Sequence, residues 1–526
     1  FSYSCKNRRI FQLIELILIF ERNKTINEMK KKKPPYGISN YESLITDNYY
    51  FVDKTKYIET LEEVPEKSIF FLRPRKFGKS LFISMLQYYY GAEHKDKFDK
   101  LFGDYYIGKN PTEKANTYYV IKFDFSSVAT QSQEETFNSF NFRVINGILN
   151  FNNSYRIFDE KVLADIRSLN NAADIFNLFK SYFSKILPTE KLFVLIDEYD
   201  HFTNELISFR LTEFKEIVSR NGYVRKFYEA IKIGVGDGIV DRFFATGVTP
   251  VTLDSLTSGF NIAKDFTLDR RFNEMQGFTP EEVKSILEYY EIENSDEVSA
   301  DLERLYNGSL FSFEADTRIY NSNMVLYFLS EYIYRGAYPK KLIDNNIASD
   351  YSKIKNIFYL NNSPVHREKL NEIITTGETT GLITEKYSFE REFTPDDFVS
   401  LLFYNGMLTI KGAKAARIEF CIPNYVIKEI YWNFFASQLK ENIQIALNTD
   451  KIITSLEDLA YKNNMQGWME RIEDVMELLS NRDLQKFDEK YVKMLFITLA
   501  AMSQLYIIKS EAEIKGEYPD LMYLYR

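Results

Sequence analysis

Residues 73–80 read Arg-Pro-Arg-Lys-Phe-Gly-Lys-Ser and lie between an apolar run, residues 68–72, and a helical apolar pattern beginning at Leu81. A Gly-Lys-Ser closing a loop between a strand and a helix is the arrangement a phosphate-binding loop requires. Each residue type has its part in that chemistry. Gly78 lets backbone N–H groups approach phosphate oxygens, Lys79 carries a charge to the β- and γ-phosphates, and the Ser80 hydroxyl can ligate Mg²⁺. Arg73, Arg75 and Lys76 add positive charge ahead of them, with Pro74 and Phe77 completing the loop. The usual pattern carries an earlier glycine, and here Arg73 holds its place. Losing that glycine is expected to restrict a left-handed turn.

A second set of chemical groups follows the apolar run 192–196, which delivers Asp197 and Glu198 at its carboxyl end. Ligands of parallel α/β sheets bind at that edge. An Asp there can hold Mg²⁺, and a Glu beside it can orient or deprotonate an attacking water. Asp200 reads as structural. Thr246 closes the run Phe-Phe-Ala-Thr, where a hydroxyl can sense a γ-phosphate. Arg270, with Arg271 beside it, can supply a cation to the charge that develops in phosphoryl transfer.

These groups need a scaffold. Apolar, β-rich runs at 68–72, 118–125, 192–196 and 243–246 alternate with helical stretches such as 172–186. Leu81, Phe82, Met85, Leu86 and Tyr89 mark one face of a helix after the loop. Alternation of this kind implies an α/β fold whose parallel sheet is covered on both faces. After about residue 270 the pattern turns to short helices, and 346–435 mix helix with short strand-like pieces. The remainder reads as helices followed by two strands.

Composition narrows the field. The chain has 526 residues, 45% apolar and 27% charged, which excludes disorder as the main state. Its net charge of −9 excludes a uniformly basic nucleic-acid coat. Only Cys5, Cys421 and three histidines occur, so a disulfide framework or Cys/His zinc site is out of reach. A cytoplasmic, reduced protein is expected. Residues 10–20 are apolar but too short to span a membrane, which needs about 20 residues, and contain Glu15. Met29 reads as a natural start, making 1–28 an upstream extension. The last residues end within a strand-like run, so the chain is expected to be a fragment.

Several segments together carry a resemblance: YFVDKT at 50–55, FFLRPRKFGKSLFISML, LFVLIDEYD, FFATGVTPVTL, LDRRFNEMQGFT, YNGSLFS and LLFYNGMLTI. Over roughly residues 35–435 the chain resembles the bacterial AAA-ATPase-like family. In that family the loop also reads RPRRFGKS, so Arg73 looks like the family's own variant. The resemblance implies a leader at 1–34, a P-loop ATPase domain at 35–270, a helical lid at 271–345 and a winged-helix-like segment at 346–435. It also implies a partial PD-(D/E)XK nuclease-like domain, of the α/β restriction-endonuclease type, at 436–526. Asp520 of Pro519-Asp520 would be its metal-binding carboxylate, with Glu511 and Glu513 as auxiliary acids. The expected function is ATP binding and hydrolysis with Mg²⁺, coupled to this truncated module. Its expected partners are nucleic acid through that module and further copies of the chain, with no membrane. The alternative is a nucleotide-gated switch or scaffold with negligible turnover. A DNA-binding regulator acting through 346–435 is disfavoured by the acidic net charge.

Overall fold

The apolar runs become strands of one sheet: β1 (Ser68–Leu72), β2 (Tyr119–Asp124), β3 (Leu192–Asp197) and β4 (Val240–Gly247), joined by a two-residue β5 (Lys264–Asp265). The computed structural model describes residues 31–202, 222–250, 262–344, 347, 364–387, 393–414, 416–443, 449–478, 489–503, 505–510 and 521–525. Within these residues the order is β2-β3-β4-β1-β5, and every pairing is parallel. The expected α/β class with a parallel sheet is present. This arrangement is compatible with a P-loop-like fold, with β4 lying between the loop strand β1 and the acidic strand β3.

Side chains alternate between two cores. Ile69, Phe71, Phe193, Leu195 and Phe244 face Phe82, Ile83 and Leu86 of the helix Lys79–Tyr90. Phe70, Leu72, Val194, Ile196 and Ala245 face Phe176 and Phe179 of Ala172–Ile186, and Phe227 and Ile231 of Tyr223–Gly236. Burial on both faces explains why β1 and β3 are apolar throughout instead of alternating. Each such side chain stabilises the fold by about 1.5–3 kcal/mol. Asn171 starts the helix Ala172–Ile186 by accepting from the N–H groups of Ala173 and Asp174.

Beyond the sheet, short helices include Pro280–Tyr289, opened by a Thr279–Glu282 capping box, and Ser322–Arg335. Next come β6 (Glu378–Gly381), β7 (Thr409–Lys414) and β8 (Arg417–Cys421), an antiparallel sheet ordered β6-β8-β7. The helices Pro364–Thr376 and Pro395–Tyr404 pack against β6. Further helices lead to the antiparallel pair β9 (Tyr506–Ser510) and β10 (Leu521–Tyr525). No helix among the described residues is long and apolar enough to cross a membrane. Residues 1–30 of the expected leader and the candidate residues Asp520, Glu511 and Glu513 fall outside the described residues, whereas Lys33, counted in that leader, donates its N–H to the Asn48 carbonyl at 3.0 Å.

Candidate functional site

β1 ends at Leu72 and the helix Lys79–Tyr90 starts at Gly78, so the loop between them lies at the sheet's carboxyl edge beside a positive helix end. Its left-handed positions are Lys76 (φ +70°) and Gly78 (φ +96°), not Arg73. The missing earlier glycine therefore removes no turn. Neighbouring segments hold the loop by its carbonyls. Asn321 Nδ2 donates to the Arg75 carbonyl at 3.2 Å, and the Ser322 hydroxyl and Asn323 N–H both donate to that of Lys76 at 3.3 Å. Gly277 N–H donates to the Phe77 carbonyl at 3.1 Å.

Lys79 is buried, and its Nζ donates to the carbonyls of Arg73 and Pro74, each at 3.0 Å. Burial pushes its pKa down, while Glu198, Asp200 and Asp197 pull it back up. Arg73 goes elsewhere than expected. At 1% exposure it cannot face a ligand in the cavity described below. Its guanidinium donates to the carbonyls of Leu72, Thr267 and Phe272 at 2.8–2.9 Å. It also lies between the rings of Phe71 and Phe311, 4.2 Å from each centroid. Burial pushes its pKa down to about 9. This cation ties the loop's first residue to the segment after β5.

Arg73→Gly, although it restores the common loop pattern, should therefore destabilise the protein by about 3–5 kcal/mol, because it orphans buried carbonyls and removes two cation–π contacts. In a chain of this size that lowers the melting temperature by roughly 3–5 °C. Thermal unfolding of the two proteins checks this, and an unchanged midpoint would reject the structural role.

On the acidic side, β3 ends in Asp197, which is 3% exposed, with an Oδ1 that has no hydrogen-bond partner among the described residues. Burial pushes its carboxyl up to about 6; Asp124 and Glu198 add to this, while Lys122 and a hydrogen bond with Ser80 oppose it. Glu198 follows in a left-handed conformation, φ +51°, with Oε2 2.8 Å from His201 Nδ1. Burial raises its pKa, but the His201 hydrogen bond, Lys79 and Arg75 outweigh that and hold it down at about 2. Asp200 is structural, as expected: it accepts from the N–H groups of Val248 and Thr249 and from the Thr249 hydroxyl.

The Asp197 shift has a consequence for stability. A carboxyl at 3.8 when unfolded and about 6 when folded makes the folded state the better proton binder between those values. Stability therefore falls as pH rises from about 4 to about 6 and stays reduced above. Asp197→Asn should remove that penalty and stabilise the nucleotide-free protein above pH 6 by on the order of 1–3 kcal/mol. Melting curves of both proteins from pH 4 to 8 should converge at the acid end and diverge at neutral pH; parallel curves would refute the assignment.

The loop and Glu198 share a cavity of about 510 Å³, lined by Arg75, Lys76, Phe77, Gly78, Lys79, Ser80, Glu198 and His201, while Asp197 is buried behind it and reaches it through its hydrogen bond with Ser80. Its other wall is more apolar, with Ile38, Tyr50, Val52, Met275 and Phe278. Thr246 is not among the lining residues: it is fully buried and donates its hydroxyl to the Phe71 carbonyl at 2.8 Å. Arg270 and Arg271 are exposed and do not line it either, and Arg271 pairs with Asp269 at 2.7 Å. Sequence reading overlooked His201, Tyr50, Phe278 and the Asn321–Asn323 contacts. His201 alone had a local signal, three residues after Glu198.

A cationic loop at a helix N-terminus suits phosphates, and the Ser80 hydroxyl with a buried, partnerless carboxylate oxygen suits a hard cation such as Mg²⁺. Fold and site together define an α/β protein with a parallel five-stranded sheet, compatible with a P-loop-like fold. Residues 35–257 match the AAA-ATPase-like family, described as a predicted AAA-ATPase. That match stops short of the 35–435 span of the resemblance and does not reach residues 436–526. The chain is also 26% identical over 260 residues to an "Uncharacterized protein in vnfD 5'region" of Azotobacter chroococcum mcd 1. That alignment covers 49% of this chain and 45% of the relative, so the chain spans under half of that protein. No solved structure matches.

Proposed function

We propose that this chain binds ATP with Mg²⁺ in the cavity and hydrolyses it. One observation carries the reading: Lys79 and Ser80 from the loop after β1, and Asp197–Glu198 from the end of β3, converge although β4 separates their strands. In this reading Arg75, Lys76 and the loop backbone take the phosphates, with Lys79 leaving the Arg73 and Pro74 carbonyls to reach the β- and γ-groups. Ser80 and Asp197 would hold Mg²⁺, which when bound neutralises charge on the transferred phosphoryl group. Glu198 accepts the proton of the attacking water. Held at about 2 by His201, Lys79 and Arg75, it is a weak base. Phosphate charge entering the cavity, and Lys79 moving toward it, would raise that value toward a useful one. Tyr50 and Phe278 offer aromatic surface for the base.

A nucleotide-gated switch is the second reading, favoured by one feature: both Lys79 and Glu198 are engaged with protein groups. Phosphate release under single-turnover conditions separates the two. Release supports the ATPase; retention of bound nucleotide without release supports the switch. Coupling to a nuclease module rests on the sequence resemblance alone, and the proposal stops at the nucleotide cycle.

A further inference from the structure

The turn after β3 divides its four residues between two tasks. Tyr199 and Asp200 are each 1% exposed and act as anchors. Tyr199 N–H donates to the Thr246 carbonyl at 3.0 Å, its ring packs on Phe70 at 5.1 Å, and its hydroxyl donates to the Thr249 carbonyl. Asp200 takes the donors of Val248 and Thr249. The fit between the turn and β4 is close. A Cβ on Gly247 would come within 2.2 Å of Asp200 Oδ1 and 2.4 Å of the Tyr199 ring. The anchored turn over-determines the backbone, which is how Glu198 can keep a left-handed φ that a non-glycine residue adopts only at a cost.

Glu198 and His201 are left on the cavity side, and both line it. His201 N–H donates to the Glu198 carbonyl at 3.2 Å, and its Nδ1 lies 2.8 Å from Glu198 Oε2. Lys79 and Arg75 also act on this carboxylate, but through their charge, which fixes no rotamer. We infer that His201 is a positioning residue for Glu198: its Nδ1–H fixes the carboxylate through Oε2 and leaves Oε1 for the water. The inference rests on the proposed role of Glu198 as base. Positioning matters because a base that wanders from the reacting proton loses rate without any loss of substrate affinity.

The test uses ATP turnover by the full chain. His201→Ala removes the donor, His201→Phe removes it while keeping a ring in the turn, and His201→Asn retains an N–H at the same branch position. Losing the donor should lower kcat about tenfold to a hundredfold and leave KM for ATP within about threefold. His201→Asn should stay within about threefold of the parent, since its amide can still hold the carboxylate. On a Glu198→Gln background, His201→Ala should cost no more than about twofold, because no base remains to be positioned. If the Ala variant does not fold, the Phe variant carries the comparison.

Three results would overturn the inference: unchanged kcat in the donor-less variants, an Asn variant as slow as they are, or an equal loss on the Gln background. Failure of the underlying reading looks different. Glu198→Gln at the parental rate sinks the base itself, whereas a slow Gln variant beside a normal Ala variant sinks only the role of His201.

Discussion

Glu198→Gln is expected to keep ATP bound while kcat falls by about two to four decades, the usual contribution of a positioned general base. The substitution changes little else. Gln has the same shape and its amide oxygen can still accept from His201 Nδ1, so the turn stays intact. What disappears is the proton acceptor and one negative charge. Removing a charge that acts on Lys79 and adds to the Asp197 shift should, if anything, tighten binding of a polyanion. Affinity and rate should therefore move apart. Equilibrium titration with ATP and Mg²⁺, beside single-turnover phosphate release, measures both. A Gln variant that releases phosphate at the parental rate would point to another base; a parent that never releases it would favour the switch.

What could be read from the sequence depended on the range of the interaction. The loop was legible because Gly78, Lys79 and Ser80 are consecutive and because apolar runs on either side announce strand and helix. Asp197 and Glu198 were legible as candidates because they directly follow the apolar run 192–196, at the carboxyl end of a buried strand. The role of Arg73 was not. In the chain it looks like one more cation beside phosphate, whereas its partners Thr267, Phe272 and Phe311 are set against it only by the fold. Thr246 failed for a related reason. Its hydroxyl is taken by the Phe71 carbonyl, a consequence of the β1–β4 pairing that nothing local encodes. β5 has two residues, Lys264 and Asp265, too few to show any period. Tyr50 and Phe278 come to line the same cavity only once the chain is folded.

The same distinction between local and long-range partners makes Lys79→Ala a sharp test, with ATP affinity expected to fall from about thirtyfold to several thousandfold. Truncating one member of a desolvated charge pair costs about 2–5 kcal/mol, and each 1.4 kcal/mol is tenfold in affinity. Nearby cations should not compensate. Arg73 is locked between Phe71 and Phe311 with both terminal guanidinium nitrogens bonded to carbonyls, and Arg75 and Lys76 approach from the other residues of the loop. The fold should survive. Losing Nζ leaves the Arg73 and Pro74 carbonyls without that donor, a cost of about 1–3 kcal/mol that water entering the neighbouring cavity reduces. Lys79→Arg should not rescue binding fully, because a planar fork cannot occupy the place of a compact ammonium in a buried site. Calorimetric titration with ATP and Mg²⁺, alongside thermal unfolding, separates loss of the site from loss of the fold. Parental ATP affinity in a folded Lys79→Ala protein would mean that the nucleotide binds elsewhere, and the assignments of Ser80, Asp197 and Glu198 would fall with it.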